Sequence, residues 1–152
     1  IHARKLVVGP GALVCQEAHL TGNVSIGCVL HPKCSIIADV GPIVIGRNNI
    51  LEEGVVIINR WAILPGAKIG NRNTFEARSR VVGATTVGSH CVVGIGCQTE
   101  PDETMPDFTV IYGDRLDRRI CKPDAAHAAL HLKHLEYLRD MLPKFNHMRP
   151  VA

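Results

Sequence analysis

The sequence predicts an all-β solenoid, a left-handed parallel β-helix of hexapeptide repeats followed by a C-terminal α-helix, on three observations. Ile63, Ile69, Phe75, Val81, Val87 and Val93 recur at steps of six, and Val8, Val14, Leu20 and Ile26 keep the same step near the start. Four residues after each aliphatic stands a small or modest side chain, as at Ala67, Asn73, Ser79, Thr85, Cys91 and Cys97. Glycine often follows directly, as at Gly9, Gly27, Gly46, Gly70, Gly88 and Gly94. A period of six fits neither a 3.6-residue helix nor two-residue strand alternation, and it is the period of hexapeptide β-helices.

The first block, residues 8 to about 41, reads as hexads led by Val8, Val14, Leu20, Ile26, Leu30 and Ile36. The step from Ile26 to Leu30 is four, two residues short, which marks either a trimmed turn or residues absent from the chain. Gly41-Pro42-Ile43-Val44 inserts three residues before Ile45, after which Ile45, Leu51, Ile57 and Ile63 carry the beat unbroken to Val93. Physically this is a triangular prism. Each hexad supplies a short strand and a corner, and three hexads bring the chain back above itself to pair in parallel at about 4.8 Å. The aliphatic points to the axis, the small residue fits the corner, and Gly46-Arg47-Asn48-Asn49 and Gly70-Asn71-Arg72-Asn73 suit corner dihedrals.

Beyond Val93 the rule fails at Thr99, and Val110-Ile111-Tyr112-Gly113 reads as one last strand, so the solenoid spans 1–113 and a linker 114–123. From Pro123 the period changes. Asp124 is a plausible N-cap, and Leu132, Leu135, Leu138 and Leu142 repeat at three- and four-residue steps up to Pro143. A helix over 124–143 is expected to pack those leucines on the prism. The tail, 144–152, has no periodic pattern.

Length and composition agree with one narrow, aliphatic-cored domain: 152 residues, 4% aromatic, 14 glycines and 9 prolines. A net charge of +3 is mild, and no Lys/Arg stripe interleaved with aromatics argues for nucleic acid. The one basic cluster, Arg115, Arg118, Arg119 and Lys122, is broken by Asp114 and Asp117 and reads as a solvated or partner-facing segment. No run of about 18 apolar residues predicts a membrane span, and no charged-then-apolar leader stands at the start. The six cysteines form no C-x-x-C pair, and Cys34, Cys91 and Cys97 occupy small-residue positions, so reduced core thiols of a cytosolic protein are expected.

Hexapeptide prisms commonly serve as acyltransferases or as metal-dependent carbonic anhydrases. The stretch from Ile45-Gly46-Arg47-Asn48-Asn49 through Glu52-Glu53-Gly54 to Ile57-Ile58 resembles the segment of γ-class carbonic anhydrases that ends in the first zinc histidine. Here that position is Ile58, and the next coil, Ile69 to Arg80, contains no histidine. The arginine and aspartate of that family fall near Thr21 and Asn23. A catalytic zinc needs about three protein ligands, so no metal, cofactor or catalytic residue is expected. His19, His31 and His90 read as corner or surface residues, with His90 the one candidate base of an acyltransferase inside the regular repeats. His127, His131 and His134 share a helix face and read as polar surface. Glu52, Glu53 and Glu76 fall on different coils and read as a solvated or interface face.

Several stretches carry a more specific likeness: Ile36-Ile37-Ala38 with Gly41-Pro42-Ile43-Val44-Ile45-Gly46, Ile50-Leu51-Glu52-Glu53, Ile57-Ile58-Asn59, Thr109-Val110-Ile111-Tyr112-Gly113, and Leu138 with Met141-Leu142-Pro143-Lys144-Phe145-Asn146-His147. On these the chain resembles the dynactin subunit 6 family over nearly its whole length. It departs after Ile57-Ile58-Asn59, where that family has a long acidic loop and a further coil, and Trp61 here runs directly into Ala62. A phosphorylatable tail known in some members has no counterpart up to Ala152. The resemblance implies a non-catalytic adaptor of dynactin's pointed-end complex, cytoplasmic and cytoskeleton-associated, supporting dynein cargo attachment and filament-end capping. The partners it implies are dynactin subunit 5, the pointed-end actin-related protein and the p62-type subunit, with no nucleic acid and no membrane insertion. The alternative is a γ-carbonic-anhydrase-like metalloenzyme or a hexapeptide acyltransferase.

Overall fold

A computed structural model describes residues 5–60 and 66–150. The chain coils about five times into a parallel β-solenoid and ends in one helix. Three faces form. Face A takes β1 (Leu6–Val8), the middle of β3 (His19–Leu30) and of β4 (Ser35–Leu51), β6 (Ala67–Ile69), β9 (Thr86–Val87) and β11 (Thr104–Met105). Face B takes β2 (Leu13–Val14), the ends of β3 and β4, β7 (Thr74–Phe75), β10 (Val92–Val93) and β12 (Thr109–Tyr112). Face C takes the starts of β3 and β4, then β5 (Val56–Asn59) and β8 (Arg80–Val82).

The register stacks one inward residue per face and turn. Ile26, Ile45, Ile69, Val87 and Met105 line face A; Val14, Leu30, Leu51, Phe75, Val93 and Ile111 line face B; Ile36, Ile57 and Val81 line face C. All are buried in one core, with Val8 and Leu20 partly buried against it. Each fully buried side chain of this kind contributes roughly 1.5–3 kcal/mol, so the stack itself holds the fold. Thr99 is also buried on the axis, and its hydroxyl accepts the Val82 N–H at 3.1 Å. The six-residue step therefore runs on through Thr99, Met105 and Ile111. It does not fail after Val93, because a threonine fits the axis once its hydroxyl is bonded.

The unbroken beat from Ile45 to Val93 conceals a shift of face. Ile45 pairs with Ile69, Leu51 with Phe75 and Ile57 with Val81, each twenty-four residues on, where Ile69 with Val87 and Phe75 with Val93 are eighteen apart. The turn between β5 and β6 thus holds one hexad more than the prism needs, and a six-residue excess leaves the numerical phase untouched. Ile63 lies outside the described residues. At the same corner one turn earlier, the path from Ala38 to Ile43 is three residues longer than the path from Gly22 to Val24 with which it pairs. The short Ile26–Leu30 step is a trimmed corner, marked by register shifts on either side of Gly27.

Corners repeat one conformation. Asn48, Arg72, His90 and Phe108 hold φ near +60° at the corner from face A to face B, as do Lys33 and Arg78, with Gly54 and Gly96, at the next. The glycines at 46 and 70 do not supply these angles. They are required by close approach: a Cβ on Gly70 would meet Gly88 O at 2.6 Å and Ser89 Oγ at 2.7 Å.

Residues 114–123 are more than a linker. They include β13 (Asp117–Ile120), which folds back antiparallel on β12 after the Gly113–Leu116 turn. Helix α1 (Ala125–Phe145) is capped by Asp124, whose carboxylate accepts the Ala126 N–H at 2.9 Å. It runs two residues beyond Pro143, since a proline in the last turn removes only one ladder bond.

Candidate functional site

The helix lies on the outer side of face B. Leu135, Leu138 and Leu142 are buried against Cys15, Val29 and Ile50, with Leu13 and Met148 beside them. Leu132 is 40% exposed and does not join them. The docked face is 131, 135, 138 and 142, which a 3.6-residue period aligns, and Leu132 lies about 100° round the helix from His131. His131 is consequently no surface residue. Its Nε2–H donates to Asn48 O at 2.7 Å and its Nδ1 lies 3.2 Å from Thr74 Oγ1. Burial pushes its pKa down, against the hydrogen bond to Asn48 and with the neighbouring His127, His134 and His90. Arg139 adds bonds from the helix to Gly11 O at 3.3 Å and Asn48 Oδ1 at 3.2 Å.

Both ends of face B are closed by the chain itself. At the first turn the tail pairs across β2: Cys15 bridges Met148, the Gln16 N–H donates to His147 O at 2.7 Å, and the Arg149 N–H donates to Val14 O at 2.8 Å. At the last turn β13 covers β12, and Arg118 clasps Glu103 in a two-bond ion pair, Nη2 to Oε2 at 2.8 Å. Burial raises the Glu103 carboxyl, but the Arg118 and Glu100 N–H bonds outweigh it and hold the carboxyl below its usual range. Leu116 packs against the end of the core. Neither cap has a hydrophobic period to announce it; the Gly113-Asp114 turn is the one signal for the hairpin. On face A, β1 pairs only with β3 among the described residues, and Leu6 and Val7 there are exposed.

The residues weighed for chemistry are dispersed. Ile58 is buried on face C between Ile37 and Val82 in register. His19 contacts Thr21 Oγ1 at 3.0 Å on the exposed surface. The His31 Nε2 is buried without a partner among the described residues, and burial lowers its pKa against the pull of Glu52. Glu52 accepts the Ala77 N–H at 3.0 Å, and Glu53 faces Lys33 at 3.8 Å in solvent. Glu76 stands one turn from Glu52; burial and then that neighbouring charge raise its pKa. Among the described residues no three His, Cys, Asp or Glu side chains converge as metal ligands. The cysteines are free thiols, and burial pushes Cys34 up to about 12. Among the described residues no helix is long and apolar enough to cross a membrane.

His90 stacks on Phe108, ring centroids 4.8 Å apart, because both occupy the same corner position one turn apart. The pair walls a cleft of about 770 Å³ between β10, β12, β13 and the start of the helix.

No protein-family model matches the chain. It is 39% identical to dynactin subunit 6 of Nematostella vectensis, over 96% of this chain and 93% of that one. The chain belongs to the dynactin subunit 6 family. A second member of the family, from Danio rerio, is 33% identical over 98% of this chain and 90% of its own length, and one from Dictyostelium discoideum is 31% identical over 89% and 83%. Among solved structures, a hexapeptide transferase family protein from Anaplasma phagocytophilum superposes with a TM-score of 0.70 at 14% identity, covering 93% of each chain. The N-acyltransferase AntD from Bacillus cereus superposes at 0.54 with 17% identity, over 89% of this chain and 91% of that one. Identity this low speaks for a shared solenoid and not for shared chemistry, so this member of the dynactin subunit 6 family has the architecture of those transferases.

Proposed function

We propose that the protein is a non-catalytic structural subunit of dynactin's pointed-end complex, supporting filament-end capping and dynein cargo attachment in the cytoplasm, on the cytoskeleton. The observation that carries this reading is the relationship to dynactin subunit 6 over almost the whole of both chains. A rigid prism suits the role. Its stacked turns hold outward side chains at fixed spacing, and its turns are tied together rather than hinged. The surface offered for assembly is the free end of face A, where β1 presents backbone groups unpaired among the described residues, with Leu6 and Val7 exposed on it and Val44 exposed two strands away across Ser25. An unpaired edge with apolar side chains is a template for another strand, and a second β-helical subunit, dynactin subunit 5, is the partner proposed for it. The pointed-end actin-related protein and the p62-type subunit are the further partners.

The test is to mix purified protein with dynactin subunit 5 and follow complex formation by gel filtration. A shared peak that Leu6→Asp with Val7→Asp abolishes, while the variant melts as the parent does, supports the reading. No shared peak with subunit 5 or with any other pointed-end subunit sinks it.

A further inference from the structure

The outward side chains of face B form a single column, Leu13, Val29, Ile50, Thr74, Val92 and Val110, fixed by the strand register. Helix α1 seals the lower part: Val29 and Ile50 are fully buried beneath its leucines. Its N-terminal half does not seal the upper part. Val92 and Val110 are only half-buried and floor the cleft of about 770 Å³, walled by the His90–Phe108 stack.

The rim of this cleft is cationic. Arg119 and Lys122 reach it from β13 and the segment after it, and His127 from the helix. Neither Arg119 nor Lys122 forms an ion pair among the described residues; the Arg119 guanidinium rests over the Tyr112 ring at 5.7 Å. One carboxylate, Asp124, also lines the cleft, and it is engaged in capping the helix. The positive end of the 21-residue helix opens on the same side. A floor that continues the column already accepting leucines calls for apolar side chains, and a rim with unpaired cations calls for carboxylates.

We propose that this cleft docks an acidic segment of a partner polypeptide, its apolar side chains on Val92 and Val110 and its carboxylates at Arg119 and Lys122. The inference rests on the adaptor reading for the source of that segment, another dynactin subunit.

Overlapping short peptides covering the other dynactin subunits, arrayed and probed with the intact protein, test it. The expected spots combine Leu, Ile or Phe with Asp or Glu. The strongest of them, titrated as a free peptide into isotopically labelled protein, shifts the methyl signals of Val92 and Val110. Arg119→Glu with Lys122→Glu weakens that binding about tenfold, and so does replacing the peptide's acids by their amides, which needs no variant to fold. Binding indifferent to the acids, methyl shifts confined to other faces, or an array without bound peptides overturns the proposal. If the protein co-purifies with dynactin while no peptide binds, the cleft proposal falls and the adaptor reading stands. Peptide binding as described with no co-purification removes the adaptor reading and leaves the cleft.

Discussion

Asn73 sits one turn above Asn49 and donates its backbone N–H to the Asn49 side-chain oxygen at 2.8 Å. Each asparagine then reaches onward with its amide: Asn49 Nδ2 to Gly70 O at 2.8 Å, and Asn73 Nδ2 to Gly88 O at 2.9 Å. The Asn73 oxygen in turn accepts the Cys91 N–H at 2.7 Å, and the Cys91 thiol meets Pro106 O at 3.2 Å. This ladder satisfies the backbone groups that a turning corner takes out of the strand pairing.

Asn73→Ala removes both bonds of a fully buried side chain and strands the Cys91 N–H and Gly88 O. A loss of about 2–6 kcal/mol is expected for the two groups together, at about 1–3 kcal/mol for each one left unpaired. Urea unfolding against the parent protein measures it; a loss under about 0.5 kcal/mol would show the ladder to be ornamental.

Glycine positions separate two physical causes. Gly70→Ala drives a Cβ into Gly88 O and is expected to cost about 1–3 kcal/mol or more as overpacking against backbone. Gly96→Ala meets nothing within 4 Å and costs only the left-handed dihedral at φ +66°, about 1–2 kcal/mol. Thermal melts that rank Gly96→Ala as the worse of the two would contradict the close stacking at Gly46, Gly70 and Gly88.

On the helix, Leu135→Ala is expected to cost about 2–5 kcal/mol and Leu132→Ala no more than about 0.5 kcal/mol. Equal losses would mean that the helix rotates from the face described.

These contrasts mark what residue patterns could and could not announce. The buried stack at Ile36, Ile45, Leu51, Phe75 and Val81 follows from a period that only a hexad solenoid produces. The pairing of Ile45 with Ile69 does not, because an excess of six residues is invisible to a six-residue count. Thr99 and Met105 break the aliphatic rule by side-chain type while keeping its spacing. Leucine spacing alone admits Leu132, since steps of three and four fit two neighbouring stripes, and only docking selects His131. The β13 hairpin and the tail at Met148 are held by backbone bonds and single side chains, which carry no periodicity.

Acid should loosen the helix. His131 and His31 have pKa values below the ordinary 6.5 because burial disfavours their charged forms. The unfolded chain therefore takes up the protons first. Their contribution is fully present above 6.5 and drains as pH falls below it toward the lower folded-state values. Stability by urea unfolding should fall with acidification through that window, with a shallower slope in His131→Gln. An unchanged slope would remove His131 as its source.

The most direct test of the whole account is affinity purification of the tagged protein from its own cells, with quantitative mass spectrometry of what accompanies it. The expected result is the set of dynactin subunits, pointed-end subunits included, enriched together at near-equal amounts. Recovery of the protein without any dynactin subunit would contradict its place as a structural member of that complex.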